Sequence, residues 1–231
     1  MNASVLPSPP VVDRRDDAPA TVRPTMHRLD RCLVRVRDVV GAGILLVVTS
    51  PALAVAALGV AIDLGRPVIY RQRRAGRDGR PFTLLKLRSM RDVSPARGLV
   101  TDADRLTRFG RALRSSSLDE LPGLVNVLRG DMSLVGPRPL PVHYLDRYSP
   151  EQARRHDVHP GLTGLAQVHG RNALDWDERL ALDVRYVERR GHLFDLRILV
   201  RTVGVVLGRR DTNQPGHATM PEFRPDRATS A

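Results

Sequence analysis

The sequence predicts a helix-rich α/β chain of the α+β kind, with one long apolar helical segment followed by a body of short strands and helices. Three observations carry this reading. Residues 39–62 contain no charged side chain. Two short β-type runs flank Asp78-Gly79, a hairpin signal. Beyond them apolar residues recur at helical spacing, as in Leu121, Leu124, Val125 and Leu128, which lie on one face of a helix.

Residues 1–26 are rich in Pro, Ala, Asp and Arg without apolar periodicity, and a disordered arm is expected there. They contain no apolar run of the signal-peptide kind. The next segment, 27–65, holds the charge-free stretch, roughly 36 Å long as a helix and enough to cross a bilayer. Ser50-Pro51 sits at its middle. A proline there costs about 3 kcal/mol in a regular helix, although a transmembrane helix can absorb it as a kink. Arg28, Arg31, Arg35 and Arg37 precede the stretch, and Arg66, Arg71, Arg73, Arg74 and Arg77 follow it. Basic residues stay on the cytoplasmic side. A spanning helix strands one of these sets outside. A helix that enters, breaks at Ser50-Pro51 and returns keeps both inside. On the residues alone both topologies stay open.

Residues 66–208 form the body. Strands are expected at 67–70 and 82–87, with the turn at 77–80 between them. Gly130 ends the helix that carries Leu121 to Leu128. A second helix is expected over 174–189, with Leu180, Val184 and Val187 on one face, begun by Asp175, Asp177 and Glu178. A third, over 193–207, is apolar but interrupted by Asp195, Arg197 and Arg201. It reads equally as a helix in a membrane interface or as a core helix. Residues 209–231 read as a polar, disordered tail.

The formal net charge is +12, from 37 basic and 25 acidic residues. Such a surface suits phosphates, anionic head groups or nucleic acid. Aromatic residues make up only 4%, which weighs against a binder that stacks single-stranded bases. A nucleic-acid binder also has no need of the apolar stretch. One cysteine, Cys32, excludes an internal disulfide. Every basic residue is Arg except Lys86.

Asp119-Glu120 is the most informative pair. With Asp119 as N-cap, Pro122 falls at the third helical position, where its missing donor costs little. Both carboxylates then sit at the positive end of a helix, which favours their ionised forms. The pair serves either as simple capping or as a nucleophile and Mg²⁺ ligand. Arg108, Arg111 and Arg114 precede it, and Arg138 lies between Pro137 and Pro139. Prolines on both sides stiffen the backbone around a guanidinium suited to bidentate phosphate contact. Lys86 and Arg88 either line the same anionic site or point outward from an amphipathic strand. His156 and His159 lack a third ligand cluster, so they read poorly as a metal site.

The chain resembles the bacterial sugar transferases, the monotopic phosphoglycosyl transferases. Six segments carry the resemblance. They are Arg71-Gln-Arg-Arg-Ala-Gly-Arg-Asp-Gly-Arg-Pro-Phe82, Lys86-Leu-Arg-Ser-Met90, Arg108-Phe-Gly-Arg-Ala-Leu-Arg114, Ser117-Leu-Asp-Glu-Leu-Pro122, Asn126-Val-Leu-Arg-Gly-Asp-Met-Ser-Leu-Val-Gly-Pro-Arg-Pro139 and His159-Pro-Gly-Leu-Thr-Gly-Leu-Ala-Gln-Val168. Each is weak alone, and their order is specific.

The resemblance implies a re-entrant membrane helix broken at Ser50 and Pro51, carrying a compact catalytic domain with interfacial helices. The domain sits on the cytoplasmic face of the inner membrane. Asp119 would attack the sugar-proximal phosphorus of a UDP-sugar and release UMP, and polyprenyl phosphate would take the sugar phosphate from the aspartyl intermediate. Glu120 would hold Mg²⁺, while Lys86, Arg88, Arg114 and Arg138 would neutralise phosphate charge. Membrane lipids are implied partners and nucleic acid is not. A homo-oligomer is compatible with the sequence, and the sugar is not specified. Ala166 stands where family members commonly have an aromatic residue, which bears on specificity. Without the several transmembrane helices of many relatives, the chain reads as the minimal form.

Overall fold

The computed structural model describes residues 28–170, 174–208 and 222–224. The expected arm at 1–26 and most of the tail at 209–231 lie outside these residues. The described chain is helix-rich, with four short strands.

Helix α1 (Arg28–Asp63) winds through Pro51 without interruption. Pro51 has no N–H for the carbonyl of Val47, and the Ser50 hydroxyl donates to that carbonyl instead, at 2.7 Å. Thr49 Oγ1 likewise bonds Leu45 O at 2.6 Å. Side-chain donors thus occupy the carbonyls around the proline, and helical winding continues where a break is expected. An 18-residue window of this helix has a mean hydropathy of 2.3, and only 11% of it is buried.

Both ends of α1 are fastened to the body. Near the start, Arg35 donates to the carbonyls of Val127 (2.5 Å) and Leu128 (2.7 Å). Asp38 accepts from Ser133 at 2.5 Å, and Arg37 pairs with Asp195 at 2.6 Å. Near the end, Asp63 accepts from Thr107 at 2.6 Å. Ala56 and Val60 there pack with Leu87 and Leu113, each full burial of a large apolar side chain being worth about 1.5–3 kcal/mol. Phe109 presses so closely on Gly59 that a Cβ there would collide with its ring. The middle of the helix, with Val47, Val48 and Val55, stays exposed.

Strands β1 (Ile69–Ala75) and β2 (Pro81–Leu87) form an antiparallel hairpin, from Ile69 opposite Leu87 to Ala75 opposite Pro81. Its turn follows the Asp-Gly signal, with Asp78 and Gly79 both left-handed (φ 54° and 71°). The first strand runs further than the sequence suggests, because the arginine-rich stretch alternates its side chains between two faces instead of ending the strand.

Short helices α2 (Asp102–Arg105) and α3 (Arg108–Ser115) lead to a 3₁₀ turn, Leu118–Glu120, and then to α4 (Gly123–Arg129). Strands β3 (Ser133–Val135) and β4 (Gly161–Thr163) pair in parallel, with α5 (Pro150–Ala153) between them. Then follow α6 (Leu165–His169), α7 (Trp176–Arg189) and α8 (His192–Leu207). Asp175 caps α7 by accepting from Glu178 N at 2.7 Å, as its sequence suggests. The main core joins Leu124, Val127, Leu134, Tyr186 and Ile198. On α8, Leu193, Leu196, Val200 and Val203 are exposed, at a spacing that makes one apolar stripe.

Within the stretch expected as tail, Phe223 is 2% exposed and packs with Leu140, Tyr144 and Leu180. Trp176, which the sequence leaves between interfacial anchor and core, packs against this same cluster.

Candidate active site

The hairpin, the 3₁₀ turn and the segment after β3 bring the site together. On β1 and β2, residues two apart share a face and opposite residues face the same way. Arg74, Gln72, Leu84 and Lys86 therefore line one side of the hairpin. The α4 residue Asn126, 0% exposed, binds the free edge of β2. Its Oδ1 accepts from Leu85 N at 3.0 Å, and its Nδ2 donates to Thr83 O at 2.8 Å. This fixes the start of α4, and the turn before it, against Lys86.

The turn itself departs from expectation. Asp119 is not the N-cap of an α-helix. Ser117 is left-handed (φ 57°), and the chain then winds with i to i+3 bonds: Glu120 N to Ser117 O (3.2 Å), Leu121 N to Leu118 O (3.3 Å) and Val125 N to Pro122 O (3.0 Å). Pro122 supplies no N–H, so α-helical bonding starts only beyond it. The expected helix-dipole stabilisation of the ionised dyad does not apply to this geometry.

Glu120 is clamped by two cations. Lys86 Nζ lies 2.9 Å from its Oε1, and Arg138 makes a two-pronged contact, Nη2 to Oε1 at 2.5 Å and Nη1 to Oε2 at 3.1 Å. Burial raises the Glu120 pKa, but Arg138 and Lys86 outweigh it and hold the carboxyl well below its usual range. The same carboxylate raises the pKa of Arg138, while burial lowers that of Lys86.

Asp119 is the opposite case. It is 7% exposed, and no described residue donates a hydrogen bond to its carboxylate. Burial, and then the Glu120 charge beside it, push its pKa up to about 6, against the pull of Lys86, Arg114 and Arg138. Two adjacent carboxylates thus have their pKa values pushed in opposite directions, a separation common at reactive sites. Near neutral pH Asp119 is ionised and largely buried, with no hydrogen bond from a described residue.

Arg138 is held from behind. Ala75 N donates to Leu140 O at 3.0 Å, which lays the Pro-Arg-Pro segment along β1. The fully buried Arg155–Asp183 ion pair (2.7 Å) adds a bond from Arg155 Nη2 to Arg138 O, also 2.7 Å. Arg114 bonds Ser89 Oγ at 3.0 Å and Met90 Sδ at 3.2 Å, beside Asp119. Arg88 is not gathered with the others. It lies just past the end of β2 and donates to Met90 O, Arg66 O and Asp92, so it staples the chain there. His156 is buried, with Nδ1 against Gly76 O at 3.1 Å.

A shallow, open cleft is lined by Arg74, Leu84, Lys86, Glu120, Met132 and Arg138, among others. Arg74 is the cation that sequence reasoning missed. The signal was available in the hairpin register, because alternation places Arg74 on the face of Lys86. Among the described residues no three His, Cys, Asp or Glu gather as a metal site. Mg²⁺ usually takes one or two carboxylates and completes its shell with phosphate and water. Asp119 and Glu120 would offer such an ion two carboxylates, and not a cage made by protein alone.

Comparison with known proteins places these residues in a family context. The sequence profile described as Bacterial sugar transferase matches residues 29–209. The uncharacterized sugar transferase EpsL of Bacillus subtilis is 46% identical over 192 residues, covering 83% of this chain and 95% of that protein. The UDP-glucose:undecaprenyl-phosphate glucose-1-phosphate transferase of Caulobacter vibrioides is 46% identical over 187 residues, 75% of this chain and 69% of that one. The undecaprenyl-phosphate galactose phosphotransferase of Salmonella typhimurium is 40% identical over 202 residues, 80% of this chain but 42% of its own.

Proposed function

The chain belongs to the bacterial sugar transferase family, and from that premise we propose that it transfers a sugar 1-phosphate from a UDP-sugar to undecaprenyl phosphate at the inner membrane. Relatives named for glucose and for galactose match at comparable identity, so the proposed donor is a UDP-hexose.

The observation that carries the mechanism is Asp119: buried, without a hydrogen bond from any described residue, and beside a glutamate whose oxygens are already held. Asp119 Oδ attacks the sugar-bearing phosphorus of the donor. A new P–O bond to the aspartate forms as the bond to the nucleotide phosphate breaks, and UMP leaves with that electron pair. An oxygen of the lipid phosphate then attacks the same phosphorus and returns the Asp119 carboxylate. Splitting the transfer between two displacements is the use of a carboxylate nucleophile. Lys86, Arg114 and Arg138 offset the charge that moves between phosphates, the main demand of phosphoryl transfer. Glu120 fixes Lys86 and Arg138 in place, and with Asp119 would hold Mg²⁺, which supplies further charge neutralisation on the diphosphate.

Both ends of α1 bind the same body, through Arg35 and Arg37 at one end and Asp63 and Gly59 at the other. This supports a re-entrant helix that turns back by bending at Pro51 while its winding continues, with its exposed middle in the bilayer and its ends on the cytoplasmic side. The apolar stripe of α8 then lies in the interface. The dyad is thereby kept near the head-group plane, where the acceptor phosphate is.

The test uses detergent-purified protein with Mg²⁺, undecaprenyl phosphate and a panel of UDP-sugars, and measures UMP. Release that depends on the lipid and on Asp119 is expected. Lipid-dependent release at the wild-type rate from Asp119→Asn removes Asp119 from the nucleophile role.

A further inference from the structure

Arg74 is a cation without an anion. Its Nη2 donates to Gln72 Oε1 at 2.6 Å and its Nη1 to Pro139 O at 3.3 Å, while Nε is buried with no partner. Among the described residues no carboxylate lies within ion-pair distance of it. The cleft wall therefore carries three cations, Arg74, Lys86 and Arg138, against the single carboxylate of Glu120. A half-buried guanidinium whose contacts are neutral bears a desolvation cost that a bound anion would offset. The effect is visible in the group itself, whose pKa burial and the nearby Arg138 lower to about 10.

Its place relative to Asp119 says which anion. On the hairpin Arg74 stands opposite Phe82, four residues before Lys86 on β2, whereas Arg114, whose charge acts on Asp119, bonds Ser89, three residues beyond Lys86. Arg74 lines the cleft with Lys86, Glu120 and Arg138, and neither Asp119 nor Arg114 is among the lining residues. Arg114 thus stands at the nucleophile's end of the site and Arg74 at the other. In a displacement at phosphorus the leaving oxygen departs opposite the attacking one. The phosphate that leaves when Asp119 attacks is therefore on the Arg74 side. The phosphate that later displaces Asp119 must enter from that same side, because the bond to be broken is now the one to Asp119.

We infer that Arg74 forms one phosphate subsite used twice, first by the phosphate of the departing nucleotide and then by that of the lipid acceptor. The inference rests on the two-step transfer proposed above. It also accounts for a cation kept free of carboxylates: a fixed counter-ion would compete with both visiting phosphates. Its fork suits phosphate oxygens, which a lysine would meet only as a point charge.

The test compares wild type, Arg74→Ala and Arg74→Lys, all in detergent with Mg²⁺ and first checked for an unchanged melting profile. Binding of UMP and of uridine is measured for each, together with the KM for undecaprenyl phosphate. Arg74→Ala is expected to weaken UMP at least tenfold, leave uridine unchanged and raise the lipid KM by a similar factor, with Arg74→Lys in between. Equal loss of UMP and uridine means that Arg74 only braces Pro139, and overturns the subsite. Unchanged UMP binding overturns it too, and a loss of UMP with an unchanged lipid KM overturns the double use. If wild-type protein releases no lipid-dependent UMP, it is the two-step transfer that fails, an outcome separate from these.

Discussion

The side-chain amide of Asn126 meets the backbone of Leu85 as a neighbouring strand would, accepting from its N–H at 3.0 Å. The same amide donates to Thr83 O. Through this contact α4 is registered on the hairpin, and Glu120 on Lys86. Asn126→Ala leaves a β2 donor and acceptor unsatisfied, at about 1–3 kcal/mol each. A loss of several kcal/mol in denaturant unfolding is expected, with a larger fall in kcat than the loss of folded protein explains. Asn126→Asp retains the acceptor but turns a buried carboxylate oxygen on Thr83 O and on Asp131 Oδ2, which the amide meets at 3.1 Å, and is expected to cost at least as much as alanine.

Asp119 is held at the site against its own preference. Its folded pKa of about 6 lies above the unfolded value, so its contribution to stability is full below about pH 4 and is lost as pH rises through 6. Asp119→Asn is therefore expected to raise the melting temperature at pH 7.5, by a stabilisation of about 2 kcal/mol, and to give no advantage near pH 4. Turnover should fall by at least a thousandfold in the same variant. In wild-type protein kcat/KM is expected to drop tenfold per pH unit below about 6, as the nucleophile is protonated. A flat profile between pH 5 and 7.5 contradicts this assignment.

Fastening both ends of α1 to one body has a topological consequence. Cys32, exposed near the start of the helix, and a cysteine placed at Arg66→Cys in a Cys32→Ser background should react from the same side of a sealed membrane. In inverted vesicles both are expected to react with an impermeant thiol reagent, and in intact spheroplasts neither. Labelling of the two sites from opposite sides would establish a spanning helix.

Phe223 docks among Tyr144, Tyr148 and Trp176 beneath the segment that follows Arg138. Tyr144 Oη accepts from Phe223 N at 3.1 Å, and Arg147 donates to Phe223 O at 2.7 Å. Phe223→Ala removes a buried aromatic side chain, and is expected to cost about 3 kcal/mol. Truncation at residue 220 should destabilise the protein to at least the same extent, as measured by thermal melting.

Much of the architecture is local, and was legible for that reason. The Asp78-Gly79 turn announces the hairpin because few residues accept two left-handed positions in succession. Helices α7 and α8 follow from apolar spacing, and Asp175 marks the start of α7. The dyad and Arg138 are picked out by the types and order of neighbouring residues. What the sequence alone could not settle depends on groups distant in the chain. Arg74 enters the cleft and Arg88 leaves it, although both are arginines of one hairpin, because seven-residue pairing fixes the face of the first and the strand ends before the second. Pro51 suggests a break, yet the neighbouring Ser50 hydroxyl takes up the carbonyl that the proline leaves. Phe223 sits in a polar tail, and only a pocket built from residues about 40 to 80 positions earlier buries it. The state of Asp119 is the clearest case: its charge depends on burial and on four ionised groups whose distances packing alone sets. Residue types and their order determined which groups are present, and the tertiary structure decided which of them stand close enough, and dry enough, to react.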